Sequence, residues 1–268
     1  MPKFMCKTCG VQQAETSAPP TNCPICDDER QYVPESGQAW TTFEALASDH
    51  RNELREEEPN LLGIGVEPKF AIGQRALLVQ SSAGNVLWDC VSLLDAPTIA
   101  RVKALGGISA IALSHPHYYS AIVEWSEAFG NVPIYIHAQD RQWVQRPSKA
   151  IEFWEGDTLK LLPEMTLINC GGHFAGSAVL HWSAGAQGQG ALLTGDTIYV
   201  VADRRFVTFM YSYPNLIPLR AASIQRIATL LEPYAFERIY SAWFGSAIKE
   251  QAKAAVARSV TRYLNAIR

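Results

Sequence analysis

Three histidines and one aspartate carry donor atoms that can bind a metal ion, and each follows an apolar segment of the chain. Their motifs are SHPHYYS, GGHFAGS and LLTGDT, and the residues are His115, His117, His173 and Asp196. Imidazole nitrogens and carboxylate oxygens bind zinc and iron in proteins. Because ligands of α/β sheets bind at the carboxyl ends of strands, we expect these four side chains to meet in one metal site.

Four of the six cysteines form two CxxC pairs near the N-terminus, Cys6 with Cys9 and Cys23 with Cys26. Each CxxC turn directs two sulfurs toward one point, and two turns complete a tetrahedron around zinc or iron. Disulfides are the alternative, which the lack of a secretory signal disfavours. Residues 1–31 include few large apolar side chains, so we expect metal binding to order them. Zinc is favoured for a structural role, and a likeness to rubredoxin knuckles leaves iron open.

Composition excludes several classes of function. The chain has 268 residues, of which 48% are hydrophobic and 18% charged, as in a soluble globular protein. A net charge of -3 and a pI near 6.1 give no basic field for nucleic acid or anionic lipid. No apolar run reaches the roughly 18 residues that span a bilayer. We therefore expect a cytoplasmic protein that acts on a small-molecule substrate, without nucleic acid or membrane partners. The oligomeric state is left open.

Two series of predicted strands must position the metal donors. The strands are expected at residues 76–80, 85–90, 108–113 and 132–137, and then at 158–162, 166–170, 179–182, 191–194 and 238–241. Helices are expected at residues 97–105, 121–129, 220–231 and 248–267. Residues 43–54 have weakly helical spacing and run into the charged stretch RNELREEEP, typical of a solvated helix face. The pattern predicts an α/β (α+β) domain of two sheets with helices on both outer faces.

Five motifs occur in the order and spacing of the metallo-β-lactamase-fold superfamily, which the chain resembles. They are VLWDC, SHPHYYS, GGHFAGS, TGDT and YSAWFG. The resemblance covers residues 63–268 and implies an αββα sandwich. It also implies that Asp89 supports the metal loop, that SHPHYYS matches the family's HxHxDH motif and that Asp196 is the bridging aspartate. Before this domain we delimit a four-Cys knuckle at residues 1–35 and a linker with a helix at residues 36–62.

Departures from the family pattern predict a single metal ion. Tyr119 stands at the Asp position of HxHxDH, Ser120 stands at its last His, and Phe244 or Trp243 replaces the final histidine. The first site keeps its three histidines, whereas the second retains only the shared Asp196. We expect one ion, zinc or iron. Four protein ligands make a closed tetrahedron if Asp196 binds the ion; water can bind if Asp196 stays distant or the ion is five-coordinate.

Tyr118 and Tyr119 are candidate catalytic residues together with Asp196. A tyrosine hydroxyl beside a metal can donate a hydrogen bond to a substrate oxygen or act as a general acid. In the alternative interpretation a tyrosine only fills, with Phe244, the volume of the lost ligands. Trp243, Phe244 and Tyr119, with Tyr211 and Tyr213 of FMYSYPN as further candidates, are expected to form a dry aromatic lining.

Three functions are compatible with these residues. The first is a mononuclear metal-dependent hydrolase acting on an ester, thioester, amide or phosphoester bond. The second is a mononuclear non-haem iron oxidoreductase that uses His115, His173 and Asp196. The third is a non-catalytic binding module derived from the same fold. Loops rather than metal motifs determine the substrate in such folds, so the substrate stays unassigned.

Overall fold

The computed structural model describes residues 1–267. Its strands in chain order are β1 (Lys3–Cys6), β2 (Gln12–Glu15), β3 (Trp40–Thr41), β4 (Arg51–Glu58), β5 (Leu61–Glu67), β6 (Ala76–Val79), β7 (Val86–Trp88), β8 (Ala110–Ala112), β9 (Ile134–His137), β10 (Ile151–Trp154), β11 (Thr158–Leu162), β12 (Met165–Asn169), β13 (Ala178–Trp182), β14 (Ala191–Leu193), β15 (Tyr199–Val200), β16 (Val207–Thr208), β17 (Met210–Ser212), β18 (Ile217–Pro218), β19 (Arg238–Tyr240) and β20 (Ala247–Ile248). Its helices are α1 (Phe43–Ala47), α2 (Ala96–Ala104), α3 (Ile122–Ala128), α4 (Gly185–Gly188), α5 (Ala221–Leu231) and α6 (Ala252–Ala266), with 3₁₀ helices at Pro116–Tyr118 and Ala138–Trp143.

Two large sheets form the centre of the fold. The first has the strand order β10-β9-β8-β7-β6-β5-β4, and the second has the order β11-β12-β13-β14-β19-β20. In the first sheet β7 to β10 pair in parallel, while β4 to β7 pair antiparallel. The helices α2 and α3 connect the parallel strands, which need such crossovers. The two strand series expected from the sequence are therefore the two sheets of the structure.

Alternating side chains build the layers between the sheets and outside them. In β6, Leu77 is buried in the cluster between the sheets, which includes Leu180 of β13. Its neighbour Leu78 faces the other way and belongs to the cluster that contains Val102 of α2 and Ile122 of α3. Each fully buried leucine or valine of this kind contributes about 1.5–3 kcal/mol. The second sheet is covered in the same way by α5 and α6, so the predicted αββα sandwich is confirmed.

The helix predicted at residues 43–54 is wrong over more than half of its length. Helix α1 ends at Ala47, and the charged run forms the strand β4 at the edge of the first sheet. β4 pairs antiparallel with β5, and Asn60 takes a positive φ of 68° in the turn that joins them. Charged residues suit an edge strand because they prevent it from pairing with another chain. The run RNELREEEP is therefore a strand rather than a helix face.

The closing helix is shorter than predicted at its start. Residues Ala247–Ile248 form β20, which pairs with β19, and α6 begins only at Ala252. Gln251, just before the helix, has a positive φ of 54° that breaks the backbone direction. Apolar spacing alone did not separate this short strand from the helix that follows it.

The N-terminal segment is ordered partly by burial, contrary to the expectation that metal binding alone would order it. β1, β2 and β3 form a small antiparallel sheet. Met5, Val11 and Ile25 are at most 1% exposed. Val11 and Ile25 belong to the cluster that covers the first sheet. Few apolar residues suffice here because they pack against the main domain. The predicted domain limits at residues 35 and 62 remain predictions.

Among residues 1–267, no helix is both long and apolar enough to cross a membrane.

Candidate metal centre

Three loops at one edge of the sandwich carry the predicted metal donors. His115 and His117 follow β8, His173 follows β12, and Asp196 follows β14. Gly195 allows two of these loops to approach each other. It has a positive φ of 50°, and a Cβ atom there would lie 2.4 Å from Ser114 Oγ. A larger residue would push the Asp196 loop away from the histidine loop.

The four donor atoms converge on one point. Asp196 Oδ2 lies 3.4 Å from His115 Nε2, 3.8 Å from His117 Nδ1 and 3.9 Å from His173 Nε2. The Nε2 atom of His173 lies 3.4 Å from His117 Nδ1. A tetrahedral zinc ion with bonds of about 2.0–2.1 Å separates its ligand atoms by about 3.3–3.4 Å. The His115–Asp196 and His117–His173 distances match this value, and the distances from Asp196 to His117 and His173 are longer, so the four residues form a group that could hold a metal ion.

Burial of these four polar side chains destabilises the folded protein unless their donor atoms bind a ligand. The side chains of His115, His117, His173 and Asp196 are 0%, 2%, 1% and 5% exposed. His115 Nε2 and Asp196 Oδ1 have no hydrogen-bond partner. A buried polar atom left unpaired costs about 1–3 kcal/mol. A metal ion at the centre would satisfy these atoms, and three nitrogens with one oxygen are donors that suit zinc or iron.

Neighbouring groups orient two of the histidine rings. The carbonyl of Tyr211 accepts a hydrogen bond from Nδ1–H of His173 at 2.8 Å, which turns Nε2 toward the centre. Ser114 Oγ lies 2.8 Å from His115 Nδ1 and has the same effect on that ring. Such outer partners fix the tautomer and the direction of a metal-binding histidine.

The protonation states also suit metal binding. Burial lowers the pKa of His115 to about 4 and lowers the pKa of His173 well below its usual value. Burial alone would raise the pKa of Asp196, but His115 and the other histidines lower it below its ordinary range. At neutral pH the imidazoles of His115 and His173 are therefore neutral and the Asp196 carboxylate is charged, which are the forms that bind metals.

Asp89 lies behind the histidine loop, where the resemblance placed it. Its Oδ1 atom accepts a hydrogen bond of 2.7 Å from the Ser114 backbone N–H. Asp89 is 2% exposed and has a positive φ of 61°. Burial raises the pKa of its carboxyl to about 8, against the hydrogen bonds from Ser114. This side chain holds the start of the SHPHYYS loop in place.

The two tyrosines of SHPHYYS face different surroundings. The Tyr118 ring lies 5.0 Å from that of His115, and its buried hydroxyl has no hydrogen-bond partner. Tyr119 instead lines a small cavity with Val11 and Gln12 of the N-terminal segment. Of the two candidate catalytic tyrosines, only Tyr118 has a ring contact with one of the histidines.

The residues at the positions predicted to lack second-site ligands contact other parts of the protein. The Ser120 carbonyl accepts a hydrogen bond of 3.1 Å from the Gln12 backbone N–H. Phe244 packs against Gly63 and Gly65 of β5. The Arg55 guanidinium carbon lies 4.4 Å from the Phe244 ring centroid. These contacts place Phe244 away from the expected aromatic lining.

Other aromatic residues surround the centre. Tyr213 donates a hydrogen bond of 2.7 Å from its hydroxyl to the Asp196 carbonyl, and the Trp243 ring lies 5.3 Å from that of Tyr199. Phe174, which the sequence analysis did not single out, lies within 5.1–5.7 Å of the rings of all three histidines. Its position directly after His173 in GGHFAGS is the one sequence feature that could have identified it.

The four cysteines of the CxxC pairs form a second cluster. Cys6 Sγ lies 3.5 Å from Cys26 Sγ, and Cys9 Sγ lies 3.7 Å from Cys23 Sγ. These distances exceed a disulfide bond of about 2.0 Å. They approach the roughly 3.8 Å between sulfurs of a tetrahedral zinc site with bonds of about 2.3 Å. The alternative of paired disulfides is absent from this structure, where all four are free thiols.

Polar groups around Cys6 favour a thiolate. The backbone N–H of Thr8 and the side-chain amide of Gln38 donate to Cys6 Sγ at 3.4 Å and 3.1 Å. Contacts with Cys23, Cys26 and Cys9 lower the pKa of the Cys6 thiol below its usual range. Thiolates are the form of cysteine that binds metals. The donor set therefore fits zinc or iron, as the spacing predicts.

The sequence matches one protein family and one relative of similar length. The sequence profile of the metallo-beta-lactamase superfamily matches residues 72–223. "Uncharacterized protein YmaE" of Bacillus subtilis (strain 168) is 54% identical over 269 aligned residues, which cover 100% of this chain and 97% of that protein.

Solved structures share the fold at low sequence identity. The crystal structure of the DIM-1 metallo-β-lactamase gives a TM-score of 0.59 at 13% identity, covering 81% of this chain and 98% of DIM-1. The crystal structure of the metallo-β-lactamase SMB-1 in complex with mercaptoacetic acid gives a TM-score of 0.52 at 17% identity, covering 77% of this chain and 92% of SMB-1. Likeness at this identity extends to the αββα arrangement of the chain and no further.

Proposed function

The chain belongs to the metallo-β-lactamase superfamily, and on that premise we propose that it is a metal-dependent hydrolase with a single ion at its His/Asp centre. The observation that carries the proposal is the convergence of four donor atoms, with Asp196 Oδ2 at 3.4–3.9 Å from the three histidine nitrogens. Tyr119 and Ser120 offer no ligands for a second ion, and both contact the N-terminal segment. One ion is therefore the stoichiometry that these side chains favour.

The proposed substrate is a small molecule with an ester, thioester, amide or phosphoester bond. A divalent ion held by the four residues would supply Lewis acidity toward the carbonyl or phosphoryl oxygen of such a bond. The protein's own contribution is to position the substrate and to handle the proton of the leaving group. Because burial raises the pKa of Tyr118 well above its usual value, its hydroxyl stays protonated at neutral pH. It can then donate a hydrogen bond to a substrate oxygen beside His115.

The proposal assigns a metal to each donor set. The four-Cys cluster is assigned a structural zinc, because its sulfurs are buried and offer no open position. The His/Asp centre is assigned zinc or iron. We also propose that the protein works in the cytoplasm, where cysteines without disulfide bonds, such as the six of this chain, persist.

A second candidate is a metal-binding protein without catalysis, and one observation favours it. Four buried donor groups surround one point, all at most 5% exposed, and an ion bound by all four would have no coordination position open to water in a tetrahedral site. Catalytic zinc sites usually have three protein ligands and expand or open during the reaction. The iron oxidoreductase expected as an alternative requires open positions as well, and no contact of the centre favours it over the hydrolase.

Metal analysis combined with a substrate panel tests these functions. Protein purified without added metal is analysed for zinc and iron, and then assayed on chromogenic esters, thioesters, amides and phosphoesters. We expect His173→Ala to lose one ion per chain together with hydrolysis. His50→Ala should keep both, because the His50 ring contacts Asp49 and Phe70 and none of the four donor residues. Hydrolysis that persists in His173→Ala contradicts the hydrolase. If the His/Asp centre binds its metal ion but the protein hydrolyses none of the four bond classes, the second candidate is supported. An iron content near zero excludes the oxidoreductase.

A further inference from the structure

One segment of the N-terminal knuckle covers the His/Asp centre. Arg30, four residues after Cys26, donates a hydrogen bond of 3.3 Å from Nη1 to the His173 carbonyl. Its guanidinium carbon lies 4.0 Å from the centroid of the Phe174 ring. Phe174 in turn contacts the rings of all three histidines. A short chain of contacts thus joins Arg30 to the candidate metal ligands.

The same segment is fixed by its neighbours. Asp28 accepts hydrogen bonds from Nε and Nη2 of Arg30 at 2.5 Å and 2.8 Å, which hold the guanidinium over Phe174. Glu29 accepts a hydrogen bond of 2.6 Å from the Tyr211 hydroxyl. The side-chain amide of Asn215 donates to the carbonyls of Glu29 and Gln31 at 2.9 Å and 3.2 Å. These are polar contacts near the surface, a type that opens at a lower free-energy cost than core packing.

Residues 9–12 of the knuckle contact the other histidine loop at Ser120, and also Gln74 and Ser92 of neighbouring segments. Gln74 donates from its side-chain amide to the Cys9 carbonyl at 3.2 Å. Ser92 Oγ donates to the Gly10 carbonyl at 2.7 Å, and the Gln12 backbone binds the Ser120 carbonyl. The knuckle therefore bridges the loop that carries His115 and His117 and the loop that carries His173. In the sequence Cys23 and Cys26 lie between these two attachments, and Cys9 belongs to the first of them.

A cavity of about 410 Å³ begins beside the covering segment. It is lined by Glu29 and Gly172, the chain neighbours of Arg30 and His173, and by Tyr211. The four metal ligands are nonetheless at most 5% exposed. A hydrolytic centre has to admit substrate, so a covering element must move during turnover.

From these contacts we infer that the segment of residues 28–31 is a gate between this cavity and the His/Asp centre, and that the four-Cys cluster holds the gate closed. The inference rests on the proposed metal sites and deepens the proposed function, because it names how access to the centre is regulated. Arg30 acts through Phe174 and the His173 loop and is a positioning residue. Loss of Arg30 or of the four-Cys metal is expected to expose the centre without removing any of its ligands.

Release of cobalt(II) from the two sites tests the gate. The full chain is loaded with cobalt(II), and excess EDTA is added. Thiolate ligation gives a charge-transfer absorption that His/Asp ligation lacks, so release from each site is followed separately. We expect Arg30→Ala to speed release from the His/Asp centre about tenfold, as suits the loss of a charged hydrogen bond. Arg205→Ala, an exposed arginine paired with Asp203, is the matched control and should leave the rate unchanged.

The two sites serve as internal controls for each other. General unfolding of a variant would speed release from both sites, whereas opening of the gate speeds release only from the His/Asp centre. Cys26→Ser should speed it as well, since the four-Cys cluster then no longer holds the segment; because this variant lacks an intact four-Cys site, an unchanged circular dichroism spectrum replaces that site as its control for unfolding. Equal rates for Arg30→Ala and the unaltered protein overturn the gate alone. Failure of the His/Asp centre to bind cobalt overturns the proposed function and the gate together. Faster release from a protein that hydrolyses nothing supports the gate and contradicts the hydrolase.

Discussion

Asp196 Oδ2 lies 3.4 Å from His115 Nε2, closer than its distances to the other two histidines. The two atoms come from loops after β14 and β8, in different sheets of the sandwich. The other carboxylate oxygen of Asp196 is buried without a hydrogen-bond partner. A residue whose only task was to orient a histidine would have its second oxygen paired, so the geometry favours Asp196 as a fourth ligand.

Asp196→Asn is expected to weaken metal binding at the His/Asp centre. The amide is neutral and a poorer donor than a carboxylate, so the loss should be at least the 10–100-fold typical of removing an outer-shell partner. Competition with a chelating dye measures the affinity. Asp203→Asn, at an exposed carboxylate paired with Arg205, is the control. Unchanged affinity in Asp196→Asn would show that Asp196 is not a ligand.

Tyr118→Phe is expected to stabilise the fold while it impairs hydrolysis. The Tyr118 hydroxyl is buried without a partner, and removing such a group should raise the free energy of unfolding by about 1–3 kcal/mol. If that hydroxyl acts on the substrate, turnover should fall by about a hundredfold or more. Urea unfolding and the hydrolysis assay measure the two effects. Tyr119→Phe is the control and should keep its turnover. Unchanged turnover in Tyr118→Phe would show that the Tyr118 hydroxyl does not act on the substrate and that the residue only packs against its neighbours.

Cys23→Ser is expected to remove one metal ion per chain and to destabilise the protein. Structural zinc contributes about 10–16 kcal/mol in isolated fingers, and the knuckle here has only a few buried apolar residues to replace it. Metal analysis and urea unfolding measure the outcome. Cys170→Ala, at a buried thiol outside the cluster, should lose some stability but no metal. An unchanged metal content in Cys23→Ser would contradict metal binding by the four cysteines.

The donors of the candidate centre could be predicted because each belongs to a local pattern. His115, His173 and Asp196 follow apolar strands, and a sheet brings the ends of such strands to one edge whatever the details of its loops. The same reasoning gave the two sheets and their covering helices. Metal donors that are defined by residue type and by their position after a strand can therefore be predicted from the sequence.

Features that depend on docking could not be predicted. Arg30 is one charged residue in a polar segment, and its role appears only when the knuckle lies on Phe174. The run at residues 51–58 was mistaken for a helix face because charged residues suit an exposed helix and an edge strand equally. Pairing with β5 decides between them, and a pairing partner is a tertiary feature. The positions of Tyr118 and Tyr119 likewise depend on what covers the loop.

Asp140→Asn is expected to stabilise the protein increasingly as the pH rises from about 4 to 7. Asp140 is 1% exposed. Burial raises its pKa to about 7, although the hydrogen bond from the Gly176 N–H and the charge of Arg30 each lower it. Below pH 4 the carboxyl is protonated in both states. Between pH 4 and 7 only the unfolded chain loses the proton, which favours unfolding by up to about 4 kcal/mol. Asparagine does not titrate and can still accept the 2.8 Å hydrogen bond from Gly176.

Urea unfolding from pH 4 to 8 should therefore show that the free energy of unfolding of Asp140→Asn exceeds that of the unaltered protein by an amount that grows with pH and levels off above pH 7. Asp157→Asn, at an exposed carboxylate, is the control, and a difference independent of pH would contradict a raised pKa for Asp140.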